Sequence, residues 1–321
     1  MASCRVLLAA ALLCACSVAA QPVPVIFDTD IGNDVDDALA LAMIHALESR
    51  GEAKLLAVTI TKDNKYAAPF IDAVDTFYGR GDIPIGVVKN GKTPEDSPMI
   101  RVPAERRNPD GSYVYPHRLT DGAKAPDAVG VLRSALASQK DGSVVIVMVG
   151  FSTNLARLLT ADPDLVKSKV RLLCAMAGAF PHGNPEYNVK TDIPAARQVF
   201  RDWPSPIVFS GFEIGQAMLF PAASIEHDFS WVTNHPVADA YRNYMPMPYD
   251  RPTWDLTATL YAIRPGRDYF SLSEPGNVDV DDQGRTMFTP DPKGTRRYLI
   301  LTDQQKARTL ETLVLLASQP R

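Results

Sequence analysis

Short apolar runs at residues 23–27, 54–60, 83–88, 143–149, 170–175 and 207–210 leave this chain few ways to fold. Several are continuous rather than alternating, which is the pattern of strands covered by helices on both faces. Helical patterns follow at residues 38–48, 67–78, 127–138, 154–159 and 194–202. Together they predict an α/β fold: a doubly wound, mostly parallel sheet with helices on both faces. The first helix is apolar on nearly every side and is expected to be buried. Asp281-Asp282-Gln283-Gly284 reads as a turn between two short strands, and a last amphipathic helix is predicted over residues 303–318. Two stretches interrupt the alternation. Residues 89–126 carry Pro94, Pro98, Pro103, Pro109 and Pro116 among polar side chains, a length that suggests a lid or binding loop. Residues 244–252 hold Pro246, Pro248 and Pro252 beside Tyr and Met.

The first twenty residues read as an export signal. Arg5 gives the positive start, residues 6–16 a short apolar core, and Val18-Ala19-Ala20 a small-residue cleavage site before Gln21. That core is too short to span a bilayer. Leu13-Cys14-Ala15-Cys16 also loosely resembles a lipoprotein processing site, which would anchor the protein through Cys16. The expected organisation is therefore a signal peptide at residues 1–20, one α/β domain at residues 21–321, and a periplasmic or extracellular location. Cys4, Cys14 and Cys16 fall in the leader, so a processed chain keeps only Cys174 and must rely on a large core rather than a disulfide. The formal charge of −4 and the lack of a basic stripe argue against a nucleic-acid partner, and no second apolar stretch suggests a membrane span. A homo-oligomer is compatible with the sequence but is not specified by it.

The first apolar run ends in acid. Asp28, Asp30, Asp34, Asp36 and Asp37 lie within ten residues, with no Lys or Arg among them. Two carboxylates ~5 Å apart repel by ~3 kcal/mol at an effective dielectric of about 20. Helix capping and the helix dipole account for one or two of the five. A hard cation with oxygen ligands, Ca²⁺ or Mg²⁺, is the simplest remedy for the rest. The position fits, because open α/β sheets place their sites at the ends of their strands.

Asp28-Thr29-Asp30, followed by Asp36-Asp37-Ala38-Leu39-Ala40-Leu41, resembles the opening of the inosine–uridine-preferring nucleoside hydrolase family, with two extra residues before the Asp pair and Asp34 as an added acid. Further matches follow in the family's order: Asn64 after Thr59-Ile60-Thr61; Val149-Gly150-Phe151-Ser152-Thr153-Asn154; Met176-Ala177-Gly178; Asn184, Glu186-Tyr187-Asn188 and Asp192; and Asp255 opening an apolar helix. The resemblance implies a Rossmann-like nucleoside hydrolase architecture in a divergent, exported branch. It further implies a Ca²⁺ ion held by Asp30, Asp37, Asp255 and the Val149 carbonyl. Asp36 would be the general base, and Asn64, Asn184, Glu186 and Asn188 would bind the hydroxyls of a ribonucleoside. Asp28 would brace the loop, and Asp34 would be solvated.

One departure stands out. The family places a histidine just before the last metal-binding aspartate, where it helps protonate the departing base; here the residue is Trp254. An indole N–H is no useful acid near neutral pH, although its face can stack on a nucleobase. His182 is the best candidate for a substitute acid, ahead of Tyr187 and Tyr249. A base that already carries positive charge, as in nicotinamide riboside, would leave without a proton. Two other readings compete. One is a Ca²⁺-dependent nucleoside-binding protein without catalysis. The other is a haloacid dehalogenase-like phosphatase, whose nucleophile would be Asp28, although Gly32 stands where that family has Thr or Val.

Overall fold

The computed structural model describes residues 21–320; the leader expected at residues 1–20, with Cys16, lies outside them. The strands are β1 (Val23–Thr29), β2 (Ala53–Lys62), β3 (Ile85–Lys92), β4 (Val144–Met148), β5 (Val170–Met176), β6 (Ile207–Ser210), β7 (Leu219–Phe220), β8 (Arg251–Pro252), β9 (Ser271–Leu272), β10 (Gly276–Val280), β11 (Thr286–Pro290) and β12 (Arg296–Ile300). Ten of them form one sheet in the order β11-β10-β12-β6-β5-β4-β1-β2-β3, with β9 paired to β12. From β3 across to β12 the pairs are parallel; β10, β11 and β9 add antiparallel pairs at the far end.

Alternate residues of the central strands enter two separate cores. Val25, Phe27, Val145 and Val147 pack on one face with the helices Asp36–Ser49, Trp254–Ile263 and Asp303–Ala317. Ile26, Val144, Ile146 and Met148 pack on the other with Ala128–Ala137, Thr153–Ala161 and Ile193–Asp202. This two-sided cover explains why the strand sequences are continuously apolar. The helix Asp36–Ser49 is buried from Asp36 through Leu47, as its all-round apolar sequence requires.

Some boundaries differ from the sequence reading. The proline-rich stretch is not bare loop: β3 runs on to Lys92, and Pro98 opens the helix Pro98–Glu105, since proline fits a first helical turn whose N–H groups have no partner. The helix Pro236–Tyr244 and strand β12 carried too little periodic signal to be read. Asp281–Gly284 does turn β10 into β11, with Gly284 at φ +82°. Among the described residues, no helix is long and apolar enough to cross a membrane.

Strand order reverses at β1, which leads to β2 and β3 on one side while β4, β5 and β6 lie on the other. Such a switch point leaves a crevice beyond the strand ends. Asp28 pairs with Met148, so Asp30 and Val149 emerge side by side. Gly150 makes this possible: a Cβ there would lie 2.5 Å from Thr61 Oγ1 and 2.6 Å from the Asp30 nitrogen. Gly150→Ala is expected to cost about 1–3 kcal/mol of unfolding free energy, the usual range for overpacking. Urea denaturation checks this, and an unshifted midpoint would show that the β1 end yields freely.

Candidate active site

Beyond Thr29 the chain turns through Gly32, whose φ of +106° and close approach to Ile100 (2.6 Å from a Cβ) suit only glycine. It then enters the helix Asp36–Ser49 with Asp36 and Asp37 in the first turn, where the helix dipole favours negative charge. More than two hundred residues later, Asp255 occupies the first turn of Trp254–Ile263. Packing of these two helix starts brings one carboxylate oxygen each from Asp36, Asp37 and Asp255 within 4.8 Å of one another, all buried. The Asp255 N–H donates to Asp36 Oδ2 at 3.0 Å, and the Thr29 hydroxyl donates to Asp37 Oδ1. Asp37 Oδ2 is buried with no hydrogen-bond partner.

Electrostatics crowd the cluster. Burial first, and then neighbouring carboxylates, push Asp37 and Asp255 well above the ordinary carboxylate range. Asp36 rises likewise through burial and Asp34, and Asp30 is pushed up to about 7, mainly by burial. An all-oxygen set with an orphaned buried oxygen fits a hard divalent cation, which would let these groups ionise together. The sequence reading grouped Asp30 with Asp37 and Asp255. The structure instead gathers Asp36 with those two, while Asp30 Oδ2 accepts from Asn33 at 2.8 Å. Asn33 is held in turn by Lys62, whose Nζ donates to its Oδ1 at 2.8 Å.

These shifts predict a pH effect on the cation-free protein. Asp28, also near 7, and Asp30, Asp36, Asp37 and Asp255 have folded pKa values above their unfolded ones, so the protein gains stability once they are protonated and loses it as pH rises through the raised values, about 7 for Asp28 and Asp30. Thermal midpoints in excess chelator should climb as the pH falls from 8 toward 5, and calcium should flatten the profile. Midpoints that fall over that range would contradict the assignment.

The acids floor a cavity of about 680 Å³, to which Val149, His182, Asn184, Glu186, Asn188 and Trp254 also contribute. His182 and Asn184 are exposed at its rim, and His182 forms a backbone bridge with Met287. Asn188 Nδ2 donates to the Val149 carbonyl at 2.7 Å and to that of Met176 at 3.1 Å, so it holds the carbonyl proposed for the metal. Glu186 caps the helix Tyr187–Thr191: its oxygens accept from the N–H groups of Asn188, Val189 and Gly178. That bracing role was not read from the sequence.

Two expectations need correction, and one competing reading falls. Asn64 does not reach the cavity; its amide ties down the carbonyls of Pro94 and Glu95 and accepts from the Tyr66 N–H. Asp34 is not freely solvated but half-buried and ion-paired with Arg251, whose Nε lies 2.7 Å from its Oδ1. Asp28 cannot serve as a phosphatase nucleophile. It is fully buried, and its Oδ1 accepts from Thr59 at 2.6 Å and Asn154 at 2.9 Å, as a brace would.

Arg251 was missed, although it stands four residues before Asp255. It clamps the Asp34 loop to the segment leading into Asp255, and its guanidinium lies 5.0 Å from the Tyr244 ring and 5.2 Å from that of Trp254. The Trp254 indole N–H donates to the Phe212 carbonyl at 2.8 Å, and the two rings sit 5.4 Å apart. Together they make an aromatic wall beside the acid floor.

The family profile described as inosine-uridine preferring nucleoside hydrolase matches residues 25–313. The pyrimidine-specific ribonucleoside hydrolase RihA of Klebsiella pneumoniae is 31% identical over 214 residues, which cover 62% of this chain and 63% of that protein. RihA of Salmonella agona is 31% identical over 215 residues, covering 63% of this chain and 64% of that protein. The matched region thus spans slightly under two thirds of these relatives. Among solved structures, an inosine-uridine preferring nucleoside hydrolase from Bacillus anthracis superposes with a TM-score of 0.71 at 19% identity, covering 92% of this chain and 99% of that one. A purine-preferring ribonucleoside hydrolase from Gardnerella vaginalis gives 0.68 at 21% identity, covering 92% and 98%. At such identities these structures establish a shared fold.

Proposed function

This chain belongs to the inosine-uridine preferring nucleoside hydrolase family, and from that premise we propose that it hydrolyses the N-glycosidic bond of ribonucleosides to ribose and free base, with Ca²⁺ as cofactor. The observation that carries the reading is the buried Asp36, Asp37 and Asp255 trio on the floor of a nucleoside-sized cavity at the sheet's switch point. Asp37, Asp255, the Val149 carbonyl and the adjacent Asp30 would hold the ion. Bound there, it would supply the positive charge that orients a sugar diol and acidifies a water.

The chain's own groups do the rest. Asp36 has Oδ2 engaged by the Asp255 N–H, which leaves its other oxygen to take a proton from water as that water attacks C1′. The C1′–N bond breaks through an oxocarbenium-like state of the kind glycosidases use. Asn184 and Asn188 would contact ribose hydroxyls, and the Trp254–Phe212 wall would take the face of the base. Oxygen ligands at 2.3–2.6 Å are what Ca²⁺ takes in flexible sites, whereas Mg²⁺ demands a tighter octahedron. The leader of residues 1–20 would place this activity outside the cytoplasm.

A panel of inosine, uridine, adenosine and cytidine, assayed for reducing-sugar release with and without chelator, tests the proposal. Release that stops in chelator and returns with calcium is expected. The commitment of the Trp254 N–H to Phe212 favours a second reading, a calcium-dependent nucleoside-binding protein. Riboside binding with no base released by any member of the panel would support that reading and overturn hydrolysis.

A further inference from the structure

A departing base needs a proton, and the aromatic wall does not supply one, because the Trp254 N–H is spent on the Phe212 carbonyl. His182 lines the cavity but is exposed at its rim. We propose that Glu213 is the catalytic acid that protonates the leaving base, an assignment that rests on the hydrolase reading. Glu213 lies in the helix Phe212–Gln216 directly after β6, next to the residue that receives the Trp254 N–H, and it lines the same cavity. It therefore stands with the aromatic wall, whereas the metal-binding acids come from the β1 end and the start of Trp254–Ile263.

Its carboxyl group has a built seat. Oε2 accepts from the Phe180 N–H at 3.2 Å, while Oε1 is shielded from solvent and has no hydrogen-bond partner. Gly211 leaves the space: a Cβ there would fall 2.4 Å from Oε1 and 2.6 Å from Oε2. A carboxylate with one oxygen satisfied and the other buried without a donor is costly, whereas a neutral carboxyl suits the site. Oε1 then remains as the buried carbonyl oxygen, and Oε2, which still accepts from Phe180 through a free lone pair, carries the proton. Burial raises the Glu213 pKa, opposed only by hydrogen bonds from its own N–H and that of Phe180. Holding one carboxyl neutral beside others that ionise is a recurring way to separate acid from base.

The step balances. The water oxygen bonds to C1′, and its proton passes to Asp36. The electron pair of the C1′–N bond goes to the base, which takes the Glu213 proton on a ring nitrogen or carbonyl oxygen. Exchange with solvent after product release returns a proton to Glu213 and removes one from Asp36.

The test is Glu213→Gln, of nearly the same shape, assayed on inosine, uridine and nicotinamide riboside with calcium present. The cationic base of nicotinamide riboside leaves as a neutral molecule and needs no acid. Turnover of inosine and uridine should fall by roughly 10²-fold or more, while that of nicotinamide riboside stays within about threefold, which also shows that the variant is folded. An equal fall on all three would mark a structural group, and a fall on nicotinamide riboside alone would mark an anionic contact to the base. Either result, or no fall at all, overturns the proposal, as does a base-selective loss in His182→Ala that is absent in Glu213→Gln. If the unaltered protein releases no base from any riboside, the hydrolase reading itself fails, and the acid role falls with it.

Discussion

Asp36→Asn should lower turnover of every ribonucleoside by about 10²–10⁴-fold, the usual contribution of a positioned general base, while calcium still stabilises the protein. The amide retains an oxygen that can accept the Asp255 N–H, so the junction of the two helix starts survives. What is lost is the second oxygen's capacity to take a proton. Rates under saturating substrate, together with the thermal midpoint in calcium and in chelator, separate the two effects. Unchanged turnover would remove Asp36 from the chemistry. Loss of the calcium shift would make it chiefly a ligand, as its place in the trio allows.

Asp255→Asn should behave differently. Turnover and the calcium-induced rise in thermal midpoint should both fall sharply, because the amide oxygen is a weaker ligand and brings no charge to the pocket from the second helix start. For the unaltered protein, calcium at a hundred times its dissociation constant is worth about 2.7 kcal/mol of stability. The variant should also be at least as stable as the unaltered protein in chelator at pH 8. There, Asp255 is a buried acid crowded by Asp36, Asp37 and Asp30, and burial with like charges raises its pKa. A variant that is less stable in chelator yet keeps its calcium response would contradict both halves of this reasoning.

The sequence made the sheet legible because burial on both faces forces unbroken apolar strands, and β4, Val144–Met148, is the plainest case. It made the acid floor legible because so many carboxylates at a strand end have few benign explanations. Asp255 was readable only because it opens an apolar helix in the expected order. The missing parts depend on partners far apart in the chain. Arg251 and Asp34 are separated by 217 positions, and the loop that carries one says nothing local about the other. Lys62 closes a β-strand, where a lysine ordinarily reads as solvated, yet it is buried and feeds Asn33 and the Thr93 carbonyl. Asn64 shows the opposite failure: its motif position suggested ligand binding, yet it spends its polar atoms on backbone away from the cavity. Glu186 does line the cavity, but its oxygens also brace nearby backbone, which its motif position did not announce. Strand β12 escaped notice because its buried Arg296, which donates to the carbonyls of Phe200 and Trp203, breaks the apolar pattern.

The central claim is that carboxylates from two distant helix starts hold a divalent cation that grips the sugar. A crystal structure determined at high calcium concentration tests it most directly. The expected result is one anomalous peak on the cavity floor, with oxygens of Asp37 and Asp255 at roughly 2.3–2.6 Å. A clear map with no ion there, or with Asp255 turned away from Asp37, would contradict it.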